Sequence, residues 1–303
     1  MSQFFLDYGL FLLKTVTIVA AIIVVIGAAA AAGRKGSHEG LEVESINKKY
    51  KSLASTLRKA VFKKAERKQE AKEEKKREKA DSKAASRPRS FVIDFKGDLK
   101  ASAVPALREE VTAILDVATP EDDVIVRLEN HGGIVHEHGL AASQLARIRD
   151  HDIPLTVCVD KVAASGGYLM ACVASRVYAA PFAILGSIGV LAQIPNFHRM
   201  LDSHGVDFEQ ITAGKYKRTV TMFGENTDED RAKLKEELVE VHALFKDAVI
   251  RYRPTLDLDK VATGEHWYGP RALELGLADE ILISHELLKN RAAERDLYKE
   301  AYQ

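Results

Sequence analysis

Eighteen consecutive residues, Thr15 to Ala32 (TVTIVAAIIVVIGAAAAA), carry no charge, and the apolar Tyr8 to Leu13 precede them with only Lys14 between. At ~1.5 Å of rise per residue, such a helix approaches the ~30 Å hydrocarbon core of a bilayer if Lys14 snorkels to the interface. A core helix would need a core to join, and a polar, charged tract follows instead. Residues 1–33 are therefore expected to form a retained membrane anchor, with the lipid bilayer as partner. A cleaved signal peptide is the competing reading, since Ala28 to Ala32 offers small-residue cleavage sites. Against it stand the missing basic cluster at the start and an apolar run beyond the usual length. Arg34, Lys35, Lys48, Lys49 and Lys51 follow the span, which by the positive-inside tendency favours a cytoplasmic C-terminal part.

The chain has 44 basic and 44 acidic residues, but the balance is local. Residues 34–89 hold 19 Lys/Arg against 9 Asp/Glu, an excess of 19 − 9 = 10. Many Glu and Lys there stand three or four apart, which supports a solvated helix. With few apolar residues to form a stripe, this segment is expected to be a linker, helical in part, that acts as a spacer or touches the membrane surface. Few aromatic residues interleave with the cations, so nucleic acid is not expected as a partner. Ser45 to Lys48 matches an S-x-x-K pattern by letters, without the strand-and-turn setting that would give it meaning. The two cysteines, Cys158 and Cys172, do not make a disulfide framework and are expected to be small core residues.

Residues 90–303 read as an α/β domain. The β-branched runs FVIDF (Phe91 to Phe95), VIVRL (Val124 to Leu128) and LTVCVD (Leu155 to Asp160) alternate with helical patterns at Val104 to Val117 and His138 to His151. That alternation implies βαβ units and a mostly parallel sheet. A small-residue helix at Gly166 to Ala174, strands near Val177 and at Val206 to Ile211, and a long helix from Glu229 to Arg251 complete the reading.

In such sheets functional groups gather at the carboxyl ends of strands. Three turns qualify. Glu129-Asn130-His131-Gly132-Gly133 can turn backbone N–H groups toward a cavity. Lys161 to Tyr168 (KVAASGGY) places Ser165 at a strand-to-helix transition, where an N-cap role is the plain alternative to chemistry. Thr212 to Arg218 (TAGKYKR) is basic, and Lys215 and Arg218 fit a surface cluster. His131, His136, Glu137 and His138 invite a metal reading, but they form no H-E-x-x-H and His136 and His138 fall on different helix faces. No metal and no cofactor is expected.

Together, DKVAASGGYLMAC (Asp160 to Cys172), the glycine pair, GSIGV (Gly186 to Val190), AGKYKR (Ala213 to Arg218) and GEHWYGPRALELGLAD (Gly264 to Asp279) resemble the signal peptide peptidase A family. Within it the chain looks closest to the SohB-type inner-membrane peptidases, over roughly Ser90 to Ile283. The resemblance implies a ClpP/crotonase-like fold and a Ser-Lys dyad, with Ser165 as nucleophile and Lys217 as general base. It further implies Ser187 as the residue that orients the lysine, and Gly132, Gly133 and Gly166 as the oxyanion hole. Polypeptide substrates such as signal-peptide remnants or unfolded chains, a homo-oligomeric ring and a periplasmic catalytic domain also follow from it. Where relatives often read S-P-G-G, this chain reads Asn130-His131-Gly132-Gly133.

Lysine is protonated at neutral pH unless burial lowers its ordinary pKa of ~10.4, so the dyad requires Lys217 to be desolvated. Two readings compete with a peptidase. A crotonase-type acyl-CoA enzyme shares the fold and the oxyanion hole, and an inactive anchored scaffold would keep the fold without the chemistry.

Overall fold

A computed structural model describes residues 2–33, 40–63, 66, 72 and 87–302, and within the first helix it places the side chains of 8–25. The chain divides into two compact units, residues 1–42 with 302–303 and residues 43–301. The first contains α1 (Ser2–Gly33), one continuous helix. Its stretch Tyr8–Val25 has no buried side chain and is long and apolar enough to cross a bilayer by length and composition.

The second unit carries the sheet. In chain order its elements are β1 (Leu41–Ser45, which begins just before the unit), α2 (Ile46–Val61), β2 (Arg89–Gly97), α3 (Val104–Val117), β3 (Asp123–Asn130), α4 (Val135–Asp150) and β4 (Leu155–Val159). There follow β5 (Val162–Ala164), α5 (Gly166–Ala171), β6 (Arg176–Ala179), β7 (Ile184–Gly186), α6 (His198–Ser203), α7 (Asp228–Tyr252) and α8 (Leu258–Val261). Last come β8 (His266–Tyr268), α9 (Gly269–Glu274), β9 (Glu280–Ile281), α10 (Ser284–Glu294) and β10 (Asp296–Tyr302).

Strand order is β1-β10-β2-β3-β4-β6-β9, and a side branch β5-β7-β8 leaves the carboxyl end of β3. From β10 to β9 the pairs are parallel, β5 runs parallel to β3 and β7, and β7 with β8 is antiparallel. The result is the mixed α/β architecture with a mostly parallel sheet that the strand-helix alternation predicts, and it is consistent with a ClpP-like fold.

Both faces of the central strands are covered, which is why their sequences read as near-continuous apolar runs. On one face Phe91, Ile93, Val126 and Val157 pack with Leu107 and Ile114 of α3, Leu145 and Ile148 of α4, and Tyr168 of α5. On the other, Val92, Ile125, Cys158 and Leu297 pack with Ile46 of α2 and Leu287 and Leu288 of α10. The period of two along each strand thus separates two cores. Cys158 and Cys172 are free and buried, in line with their reading as core residues, and burial pushes both thiols up to about 12.

Two local expectations change. Val206 to Ile211 forms no strand; every residue of it is exposed, so it has neither a buried face nor a partner among the described residues. The segment read as a linker contributes β1 and α2 to the structure, and Asn47 fastens α2 to the sheet. Its amide donates to the carbonyls of Ala292 (3.1 Å) and Arg295 (3.0 Å), and its Oδ1 accepts from the Leu297 N–H (2.7 Å).

Candidate active site

The side branch places two serines next to each other. Strands β5 and β7 run parallel with Ala164 opposite Gly186 as their last pair, so Ser165 and Ser187 are the residues that leave the ladder together. The Ser165 N–H donates to the Gly186 carbonyl at 2.8 Å, and the Ser187 N–H to Glu265 O at 2.6 Å. Both serines have φ 52°, a region that non-glycine residues seldom occupy. Such a backbone costs of order ~1–3 kcal/mol and gathers at active sites, where the surrounding structure imposes it.

Ser165 stands at the N-cap position of α5, yet its side chain makes no capping hydrogen bond. The plain alternative of a capping serine is therefore not what the structure contains. Its backbone conformation, with ψ −120°, turns the residue out of the helical path and leaves a half-buried hydroxyl at the sheet's branch point.

The glycine pair lies directly against this elbow. A β-carbon on Gly132 (φ +86°) would fall 2.7 Å from the Ser165 β-carbon, and one on Gly133 would fall 2.1 Å from the Leu99 carbonyl oxygen. Only glycine lets the loop pass at these distances. The Gly132 N–H donates to Asn130 Oδ1 at 2.8 Å, so of the three expected oxyanion donors Gly132 is committed elsewhere. Among the described residues the N–H groups of Gly133 and Gly166 have no such partner.

Asn130 and His138 support both arms of this arrangement, which the sequence did not signal. Asn130, fully buried, accepts at Oδ1 from Gly132 and lies 3.2 Å from His138 Nε2 through the same atom, while its amide nitrogen faces Met170 Sδ at 3.3 Å. The His138 Nδ1 is 3.0 Å from the Ile134 carbonyl. A β-carbon on Gly166 would meet the His138 ring at 2.4 Å, so the imidazole packs directly against the start of α5. His138 therefore touches Gly166 directly and Gly132 through Asn130. His131 and His136 are exposed, and among the described residues no three His, Cys, Asp or Glu side chains gather as a metal would need.

Lys217 departs from expectation. Its side chain is exposed. Lys215 pairs with Glu229 at 2.6 Å, which holds its ammonium group well above the usual lysine range, and it fits the surface role read for it. Trp267 packs over Gly186, where a β-carbon would be 2.8 Å from the indole, and His266 pairs opposite Gly186 on β8.

The description "Peptidase family S49" matches residues 147–298, and that of the family's N-terminal region matches residues 3–145. The "Probable protease SohB" of Haemophilus influenzae is 56% identical over 70% of this chain and 60% of its own length. The protein of the same name from Buchnera aphidicola of Schlechtendalia chinensis is 43% identical over 95% of this chain and 100% of its own. That from Buchnera aphidicola of Acyrthosiphon pisum is 53% identical over 70% of this chain and 63% of its own. The aligned part thus spans less than two thirds of two of these relatives.

Proposed function

Because the chain belongs to peptidase family S49, we propose that it is a membrane-anchored serine endopeptidase in which Ser165 is the nucleophile and Lys217 the general base. The observation that carries this reading is the elbow at Ser165: a strained, uncapped serine at the end of a strand, with glycine backbone on two sides. The Ser165 hydroxyl attacks the scissile carbonyl and passes its proton to the Lys217 amine, which returns one to the leaving amine; water then releases the acyl group. The N–H groups of Gly133 and Gly166 receive the oxyanion, Gly132 serves as the spacer that brings them near, and Ser187 orients the lysine.

An exposed lysine cannot act as a base at neutral pH, so Lys217 has to become dry. Its segment carries exposed Leu191, Met200, Val206, Phe208, Ile211 and Phe223, more apolar surface than a free-standing loop keeps. A second copy of the chain covers this surface and desolvates the lysine, so the active form is a homo-oligomer. The substrates are unfolded polypeptides or signal-peptide remnants at the bacterial inner membrane, with the catalytic unit on the periplasmic side.

The test is labelling of the full chain with a fluorophosphonate, together with turnover of an unstructured peptide. Ser165→Ala abolishes both; Lys217→Ala abolishes turnover and retains the fold. Wild-type turnover in either variant overturns the dyad, and specific activity that does not fall on dilution overturns the role of assembly. A topology reporter fused after Gln303 checks the side of the membrane.

A further inference from the structure

Helix α2 carries an apolar stripe that the sheet covers only at one end. Ile46, Tyr50, Leu53, Leu57 and Val61 recur at spacings of four, three, four and four, which sets them on one helical face. Ile46 is buried in the core beneath the sheet and Tyr50 packs against it. The same stripe then continues into solvent, with Leu53, Leu57 and Val61 exposed at 62%, 66% and 67%.

The other faces are cationic. Lys48, Lys49, Lys51, Arg58, Lys59 and Lys63 fall between residues 46 and 63, and that stretch contains no Asp or Glu. Three bonds from Asn47 hold the helix to β10 and to the end of α10, so its direction is fixed relative to the catalytic unit. Its first residue follows the last of α1 by 46 − 33 = 13 positions. A chain that long reaches at most roughly 45 Å.

We propose that α2 seats the catalytic unit on an anionic lipid surface, with Leu53, Leu57 and Val61 entering the headgroup boundary and the surrounding cations meeting lipid phosphates. A helix with an apolar face whose charged residues are all basic, one of them (Lys49) paired with Glu44 at 3.2 Å just ahead of the helix, is the kind that lies in that interface. The inference rests on the reading of α1 as a bilayer anchor, which keeps α2 within reach of the surface. A second copy packed on the stripe would bring no anions to the basic faces, whereas an anionic lipid surface meets both the stripe and the cations that flank it. Seated this way, the unit holds one orientation to the bilayer, and Ser165 meets chains leaving it from a constant direction.

The test uses the full chain in vesicles of phosphatidylcholine with and without phosphatidylglycerol. An environment-sensitive fluorophore is attached at Leu57→Cys or, as a control on the polar face, at Ser52→Cys; the native Cys158 and Cys172 are buried. The expected result is quenching of the label at position 57 by a lipid-borne quencher, stronger with phosphatidylglycerol, while the label at position 52 stays accessible to aqueous iodide. Chains that float with the vesicles but leave position 57 open to iodide overturn the proposal and spare the anchor. Protection of position 57 in lipid-free detergent that grows with protein concentration assigns the stripe to a second copy and also overturns it. Failure to float with vesicles overturns the anchor reading itself, and the proposal with it.

Discussion

Ser165 and Ser187 leave neighbouring parallel strands at the same step, immediately after the paired Ala164 and Gly186, and both do so with φ 52°. The pairing brings Ser187 beside the proposed nucleophile through backbone hydrogen bonds alone. Ser187→Ala is expected to lower kcat for peptide hydrolysis with little change in KM. The loss should lie near the low end of the ~100-fold to 10,000-fold range typical of proton-transfer groups, because the base itself remains. An unchanged kcat, measured at saturating peptide, would remove Ser187 from the machinery.

Gly132 tests the proposed oxyanion role of its loop. A methyl group there would collide with the Ser165 β-carbon at 2.7 Å and would sit on a residue with φ +86°. Gly132→Ala should displace Ser165 from Gly133, and a lost oxyanion contact lowers rate by roughly 100-fold to 1000-fold. Fluorophosphonate labelling at Ser165, which needs the same hole, should slow in parallel; labelling at the wild-type rate would contradict this geometry.

His138 touches Gly166 directly and Gly132 through Asn130, two of the residues proposed for the oxyanion hole, so its effect is expected to be one of positioning. Its Nε2 contacts Asn130 at 3.2 Å and its ring fills the space beside Gly166. His138→Ala should reduce kcat while KM holds, and His138→Gln, which keeps a polar atom near Asn130, should restore part of the rate. Equal losses in the two variants would mean that only the volume of the ring matters.

The central strands were legible because a parallel sheet covered on both faces needs long apolar, β-branched stretches, and Phe91 to Phe95, Val124 to Leu128 and Leu155 to Val159 are such stretches. Val206 to Ile211 imitates the pattern in composition, but a strand is defined by its partner, and none is supplied among the described residues. The attachment of α2 was invisible for the opposite reason: Ile46 and Asn47, two residues in a charged tract, make contacts with residues roughly 250 positions away, and no local pattern encodes them. Ser165 and the glycine pair stood out as turns after strands. The Asn130–His138 support did not, since His138 differs from the exposed His136 only in which way α4 faces after the Gly132 turn. The proposed chemistry demands a buried Lys217, and its side chain is exposed in this structure.

Glu300 gives the stability of the catalytic unit a pH dependence of predictable sign. It is 4% exposed in β10, and among the described residues its Oε2 has no hydrogen-bond partner. Burial, and then the neighbouring Glu110 carboxylate, push its pKa up to about 7. In an unfolded chain a glutamate titrates near ~4.3, so between these values the folded state keeps a proton that the unfolded state has lost. The contribution of the protonated form is complete below the unfolded value and is lost as pH rises through about 7, because ionisation then leaves a buried charge beside Glu110. Glu300→Gln is neutral at every pH and should remove this slope. Its Tm should match the wild type near pH 5 and exceed it at pH 8.5 by several degrees. Thermal unfolding of both proteins in the same detergent at the two pH values checks this, and a difference in Tm that does not widen with pH would place the missing proton elsewhere.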